Sequence, residues 1–132
     1  MNYFTHTELA CPCCHLALLK EGFRDELNKL REACGHALKV NSVCRCKKHN
    51  KAVGGKPASF HLIDGGDVTG SSGCCAADIS TAGWDGAKKW RFVHLAMLNG
   101  WSIGMAKTFF HIDKRSDYVE CGWPNPVVFS YA

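Results

Sequence analysis

The sequence lacks any apolar run that approaches the roughly 20 residues needed to cross a bilayer, which argues against membrane insertion. Its first ten residues are polar and show no basic segment followed by an apolar one, so we predict no secretory signal and synthesis in the cytoplasm. Proline is scarce, at 4 of 132 residues, and no repeat or low-complexity tract occurs, which excludes fibrous and disordered classes. We therefore predict a single globular domain over residues 1–132.

The sequence also has little net charge, at +4. A mildly basic chain suits an anionic polymer such as nucleic acid or cell wall, but it is equally typical of an ordinary enzyme surface. Lysine and arginine form no clustered stripe, and the cysteines lack the spacing of a zinc finger. We therefore predict no nucleic-acid partner, and we expect a monomer.

Cysteine, in contrast, is abundant. Complete internal pairing is impossible because the number of cysteines, nine, is odd. Without an export signal a disulfide framework is not the default, so metal binding or buried free thiols are better first interpretations. The cysteines stand at positions 11, 13, 14, 34, 44, 46, 74, 75 and 121.

Three of these cysteines, Cys11, Cys13 and Cys14, lie close together and are followed by His15. They are candidates for part of a second, structural zinc site. The missing ligand would then be one of the more distant cysteines, namely Cys34, Cys44, Cys46 or Cys121. A true zinc finger shows two Cys-x-x-Cys-like pairs, which this sequence does not have. Buried free thiols, or pairing after export, are the interpretations that the sequence favours.

Hydrophobic periodicity predicts helices mixed with short strands. The predicted helices are residues 16–33, 47–53 and 84–98, after a short capped turn at 5–10. The predicted strands are residues 38–43, 76–79, 101–103 and 108–112, and the tail from Tyr118 is either a last strand or a wrapped loop. Since no βαβ unit repeats, we predict a small α+β domain in which helices pack on a short, mostly antiparallel sheet.

His61, Asp78 and His111 fall at predicted strand or loop edges and are potential zinc ligands. Zinc binds nitrogen and oxygen ligands at about 2.0–2.2 Å, and three protein ligands leave a fourth position for water. That water loses a proton near neutral pH and attacks a polarised carbonyl. By composition alone the trio is weak evidence, because 7 histidines and 12 acidic residues form many such trios by chance.

Several segments taken together resemble the M15 family of metallopeptidases, which includes D-Ala-D-Ala carboxypeptidases, dipeptidases and phage endolysins. The resemblance covers nearly the whole chain and implies the zinc-site fold that the family shares with the hedgehog signalling domain. The combination is specific, although no single segment is. The segments are Phe4–Leu9 with the cysteines after it, Asn41–Asn50 (NSVCRCKKHN), Val53–Gly55, Ser59–His61, Ala76–Ile79, Ile103–Gly104 and Phe110–Asp113.

The family pattern is Ser-x-His, then Gly-x-Ala-x-Asp, then a later His. The resemblance therefore implies that His61, Asp78 and His111 are the zinc ligands. It implies that Arg45 binds the terminal carboxylate of the substrate, for which a planar fork of donors is suited. Ser59 matches the serine that hydrogen-bonds the substrate near the metal.

The sequence departs from the family in the spacing of its ligands. Sixteen residues, 62–77, separate the first histidine from the aspartate, many more than is usual, and Cys74 replaces the usual glycine. We interpret residues 64–73 as a loop insertion, which a chain accommodates at small entropic cost. The insertion carries Asp64 and Asp67, either of which is an alternative to Asp78 as ligand.

The second departure concerns the catalytic base. Relatives place an acid three residues before the last histidine or a histidine two before it, and here these positions hold Thr108 and Phe109. Asp113, which matches the family's His-x-Asp, is our first choice as base. The alternative is that Asp113 only orients a ligand imidazole. The remaining candidates for the base are Asp64, Asp67 and Glu120.

The resemblance implies a zinc-dependent peptidase that acts on the stem peptide of bacterial peptidoglycan, as a D-Ala-D-Ala carboxypeptidase or an endolysin-like endopeptidase. The small size and missing signal resemble phage lysins, which a separate pore-forming protein releases to the cell wall. A D,D-dipeptidase is the alternative among enzymes. The alternative from another class is a non-catalytic zinc-binding module of the same fold, used for structure or recognition.

Overall fold

The computed structural model describes residues 2–64, 72–118 and 126–131. Within them the chain forms short and medium helices around one sheet, which confirms the predicted α+β class. None of these helices combines the length and the apolar character that crossing a membrane requires. The helices are α1 (His6–Leu9), α2 (Phe23–Cys34), α3 (Lys47–Ala52), α4 (Gly86–Leu98) and α5 (Arg115–Tyr118). The strands are β1 (Val40–Ser42), β2 (Ala76–Ser80), β3 (Ser102–Met105), β4 (Phe109–Asp113) and β5 (Val128–Ser130).

The five strands form one sheet in the order β1-β2-β4-β3-β5, and only the β3–β5 pair is parallel. The central strands β2 and β4 are almost entirely buried, as expected of strands that read Ala-Ala-Asp-Ile and Phe-His-Ile. Their register places Asp78 directly opposite His111. Directly opposed residues share a face of a sheet, so pairing alone brings these two side chains together.

The core lies between the sheet and the helices α2 and α4, which contact each other. The apolar residues of α2 recur at helical spacing, so Phe23, Leu27 and Leu30 all face this core and are fully buried. Phe23 packs edge-on against Trp101, with ring centroids 5.6 Å apart. Each such buried side chain contributes about 1.5–3 kcal/mol to the free energy of unfolding, so this core stabilises the sheet that carries Asp78 and His111.

The prediction of a helix from residue 16 was wrong for its first seven residues, because α2 begins at Phe23. The preceding segment is instead extended beside Cys74: the N–H of Lys20 donates to the Cys74 carbonyl at 3.0 Å. Gly22 then adopts a left-handed conformation, with φ at +82°, immediately before the helix. Hydrogen bonds to a segment distant in sequence, just before β2, therefore override the helical periodicity here.

The other elements agree with the sequence within a few residues. The capped turn is present as a capping box, in which Thr5 Oγ accepts the N–H of Glu8 and the Glu8 carboxylate accepts the N–H of Thr5. The tail forms a last strand, β5, rather than only a wrapped loop. Most of the predicted insertion at 64–73, including Asp67, lies outside the described residues, so its role and the single-domain boundary stay predictions.

Candidate metal centre

Three separate parts of the chain bring His61, Asp78 and His111 together. Asp78 and His111 stand opposite each other in β2 and β4. His61 precedes β2 and is fixed by its own backbone: its carbonyl accepts the N–H of Arg45 at 2.8 Å, and its N–H donates to Ser59 Oγ at 3.1 Å. All three side chains are buried, with relative exposures of 2%, 6% and 6%.

The distances in this cluster match those of ligands around one ion. His61 Nε2 lies 3.1 Å from Asp78 Oδ1, His111 Nδ1 lies 3.0 Å from the same oxygen, and the two ring nitrogens are 3.3 Å apart. Ligand atoms placed tetrahedrally at about 2.1 Å from a zinc ion are roughly 3.4 Å apart. The three atoms therefore already occupy one face of a suitable coordination shell.

The other nitrogen of each imidazole fixes its tautomer. His61 Nδ1 lies 2.7 Å from the Val43 carbonyl, which can only accept, so this nitrogen carries the proton. His111 Nε2 lies 2.7 Å from a carboxylate oxygen of Asp113 and donates to it in the same way. The nitrogens that face Asp78 then present lone pairs. In this tautomer three acceptors face one another in a buried site, where a cation between them is stabilising, so the residues fit a metal ion.

Asp113 lies on the side of the His111 ring away from Asp78. It is fully buried and is held by the guanidinium of Arg115 through two bonds, Nε to Oδ1 at 2.9 Å and Nη2 to Oδ2 at 2.8 Å. The backbone N–H of Arg115 adds a third bond at 3.0 Å. A carboxylate can accept a hydrogen bond from the ring nitrogen of a ligand histidine that faces away from the metal. Such a carboxylate orients the ring and makes the histidine a better ligand.

Arg45 forms the rim of the cluster. Its Nη2 donates to Asp78 Oδ2 at 3.0 Å, which leaves Asp78 Oδ1 directed at the imidazoles. Its Nε donates to Ser42 Oγ at 2.9 Å, and its Nη1 donates to Asn50 Oδ1 at 3.3 Å. Arg45 therefore faces an open cleft of about 280 Å³ that also includes Ser42 and Asp78. A second cavity, of about 340 Å³, lies beside α2 and α4 and contains no member of the cluster.

Burial and polar contacts shift the pKa values of the side chains in the cluster in opposite directions. Burial lowers the pKa of His61, which favours the neutral imidazole that a metal requires. Burial by itself would raise the pKa of Asp78, but the close approach of the His111 and His61 rings outweighs burial and holds that pKa well below its usual range. Burial opposes the charged form of His111 also, yet Asp113 and Asp78 together raise its pKa. Asp78 thus stays ionised, as a ligand carboxylate must.

The last strand covers one side of the cluster. The ring of Phe129 in β5 lies 5.8 Å from that of His111, centroid to centroid, and 5.4 Å from the Arg115 guanidinium. Gly104, opposite His111 in β3, makes this approach possible, because a Cβ there would lie 2.5 Å from atoms of the Phe129 ring. An aromatic residue of the tail therefore limits access of water from this side.

Of the remaining candidates from the sequence, Asp64 is described and does not join the cluster. The Asp64 carboxylate is 61% exposed and pairs with Lys47 at 3.2 Å. Asp67 and Glu120 lie outside the described residues. The sequence analysis did not identify Arg115 as part of this site. The one indication that the sequence offers is that Arg115 is a basic residue two positions after Asp113.

Comparison with protein families gives one match. The model of the family described as Peptidase M15 matches residues 2–113, which include His61, Asp78 and His111. Neither a comparison with curated proteins nor one with solved structures finds a match. Because the family model covers most of the chain, from the capped turn to the end of β4, this protein belongs to the peptidase M15 family.

Proposed function

We propose that the protein is a zinc-dependent peptidase that hydrolyses D-amino-acid-containing peptides of bacterial peptidoglycan, as a D-Ala-D-Ala carboxypeptidase or an endolysin-like endopeptidase. The observation that carries the proposal is the convergence of His61 Nε2, Asp78 Oδ1 and His111 Nδ1 within about 3 Å of one another in a member of a peptidase family. A zinc ion held by these atoms would supply Lewis acidity and a water that is acidic enough to act near neutral pH.

The geometry favours an orienting role for Asp113 over the role of base. Its carboxylate accepts from His111 Nε2 and from Arg115, and it is fully buried behind the imidazole. These bonds lower the pKa of Asp113 although burial opposes the lowering, so the carboxylate is a poor proton acceptor. We therefore assign Asp113 the task of keeping the His111 proton on Nε2 and its lone pair on Nδ1.

Arg45 is well placed to bind a carboxylate of the substrate. A guanidinium has five N–H donors, and the bonds to Ser42, Asn50 and Asp78 use three of them. In the part of the chain that the structure describes, no acceptor is seen on the remaining donors, and a peptide with a free C-terminus would place its carboxylate against them in the cleft. Ser59, by contrast, accepts the N–H of His61, which supports a role in holding the ligand loop besides any contact with substrate.

Replacement of Arg45 by lysine is expected to lower kcat/KM on peptides with a free C-terminal carboxylate by about 10–100-fold, since hydrogen bonds to charged groups contribute about 1.5–3 kcal/mol. The same peptide with an amidated C-terminus should show little change between variant and wild type. Steady-state assays on the two peptides measure this difference. Lys51→Ala, at an exposed position of α3, is the matched control. An equal loss on both peptides would instead mean that Arg45 acts through Asp78.

Chelation tests the proposed function directly. After removal of metal, hydrolysis of isolated muropeptides is expected to fall to background, and about one equivalent of zinc per centre should restore it. Release of D-alanine from free D-Ala-D-Ala, compared with cleavage of muropeptides, distinguishes a dipeptidase from a wall-directed enzyme. Peptides of all-L configuration serve as the control. A protein that binds zinc but hydrolyses none of these substrates would be a non-catalytic zinc-binding module.

A further inference from the structure

A second group of potential metal ligands lies apart from the first. The Sγ atoms of Cys11, Cys14 and Cys46 are within 4.8 Å of one another, although Cys46 is more than thirty positions away in the chain. Cys11 is fully buried, and the other two are partly buried. We propose that these three thiolates bind a second, structural zinc ion, which joins the N-terminal segment to the start of α3.

The local backbone shapes the Cys11–Cys14 segment as one half of such a site. The carbonyl of Cys11 accepts the N–H of His15 at 2.8 Å, and the N–H of Cys11 donates to the Leu16 carbonyl at 2.9 Å. His15 has φ at +63°, the left-handed conformation that closes this tight turn. Cys11 and Cys14 form a Cys-x-x-Cys pair, the spacing at which one turn directs two thiolates to one ion.

Backbone N–H groups point at the sulfur atoms. The N–H of Cys46 donates to Cys11 Sγ at 3.3 Å, and the N–H of His49 donates to Cys46 Sγ at 3.4 Å. The N–H groups of Cys13 and Cys14 also contact Cys11 Sγ. Donors directed at sulfur stabilise the thiolate form, which is the form that binds metal.

A metal ion explains the arrangement of three sulfurs better than a disulfide does. One disulfide would use only two of the three sulfurs that lie within 4.8 Å of one another. Thiolates at about 2.3 Å from a tetrahedral zinc ion are roughly 3.8 Å apart, which the observed spacing accommodates. Cys13 is a candidate for the fourth position, because it is exposed and its thiol already contacts Cys46. By comparison, Cys44 and Cys74 form a buried pair elsewhere in the core, with Sγ atoms 2.7 Å apart.

The position of this site gives the ion a structural task. Cys46 directly follows Arg45 and caps the first turn of α3. Asn50 of α3 in turn accepts from Arg45 Nη1. An ion bound to Cys46 would therefore fix the segment that carries Arg45 against α1, and it would do so without contacting the His61–Asp78–His111 cluster.

Metal content of the full-length protein, purified under reducing conditions and desalted, tests the proposal. Wild type is expected to hold two zinc ions per chain by elemental analysis. Cys46→Ser should hold one, and His111→Ala should also hold one, lost from the other centre. Cys34→Ser, at a buried cysteine outside the group, should keep both and is the matched control. A Cys46→Ser protein with the same zinc content as wild type would overturn the proposal.

Cobalt substitution of the wild-type chain provides a test that does not depend on a variant folding. Binding of Co²⁺ to the metal-free protein should produce a sulfur-to-cobalt charge-transfer band, which a centre of two imidazoles and a carboxylate cannot give. The band should persist in His111→Ala, so that failure of the catalytic proposal and failure of this one remain distinguishable. Absence of the band in wild type, or a disulfide between any two of Cys11, Cys14 and Cys46 by peptide mass mapping, would refute the second site.

Discussion

Replacement of His111 by alanine is expected to reduce kcat/KM on the proposed peptide substrate by about 1000-fold or more. His111 Nδ1 lies 3.0 Å from Asp78 Oδ1 and 3.3 Å from His61 Nε2, so its removal opens one corner of the proposed coordination shell. Electrostatic stabilisation by a bound metal ion contributes several kcal/mol to a transition state, and each 1.4 kcal/mol is about tenfold in rate. Zinc content and hydrolysis should therefore fall together.

The control for this experiment is His94→Ala. His94 lies in α4, where its ring stacks on that of exposed Trp90 with centroids 5.0 Å apart. Its loss should leave both zinc content and kcat/KM near those of wild type. A His111→Ala protein that is folded by circular dichroism and still hydrolyses the substrate at the wild-type rate would contradict the proposed metal centre.

Replacement of Asp113 by asparagine is expected to weaken zinc binding by about 10–100-fold, the usual effect of losing a carboxylate behind a ligand histidine. The amide cannot accept from Arg115 and His111 as a charged carboxylate does. Because the ion pair between Arg115 and the buried Asp113 carboxylate would be lost, the free energy of unfolding should also fall, by about 3–5 kcal/mol. Competition with a chromogenic chelator measures the affinity, and urea unfolding measures the stability.

The same variant separates the two roles considered for Asp113. If the residue orients His111, saturating zinc should restore most of the activity, since the lost affinity is offset by mass action. If the residue is the base, hydrolysis should remain lost even when the centre is fully loaded. Asp117→Asn is the matched control, because its carboxylate is 49% exposed and pairs with Lys114 at 3.7 Å.

The first histidine illustrates how far sequence reasoning reaches in this protein. The resemblance of Ser59–His61 to a family pattern identified His61 as a ligand candidate despite the long spacing to Asp78. The Val43 carbonyl, which accepts the proton of His61 Nδ1, has no signature in the sequence, because any residue type supplies a carbonyl at that position. Side-chain chemistry is readable from the sequence, whereas the backbone partners of a site are not.

The cysteines illustrate the converse. Their number and clustering were evident, and Cys46 was one of four candidates for the partner of Cys11 and Cys14. Only the tertiary structure selects Cys46, since the choice depends on where the turn after α1 packs against the start of α3. Arg115 is a similar case, because its pairing with Asp113 requires both side chains to turn inward at the end of β4.

The α+β order, the α4 helix, the capped first turn and the types of side chain that form the centre are predictable from the sequence, because they depend on periodicity and chemistry within short stretches of chain. The start of α2, the register that sets Asp78 against His111, and the placement of Cys46 beside Cys11 and Cys14 become evident only in the folded chain. These features depend on contacts between residues tens of positions apart, and the energy of such contacts is absent from any local pattern.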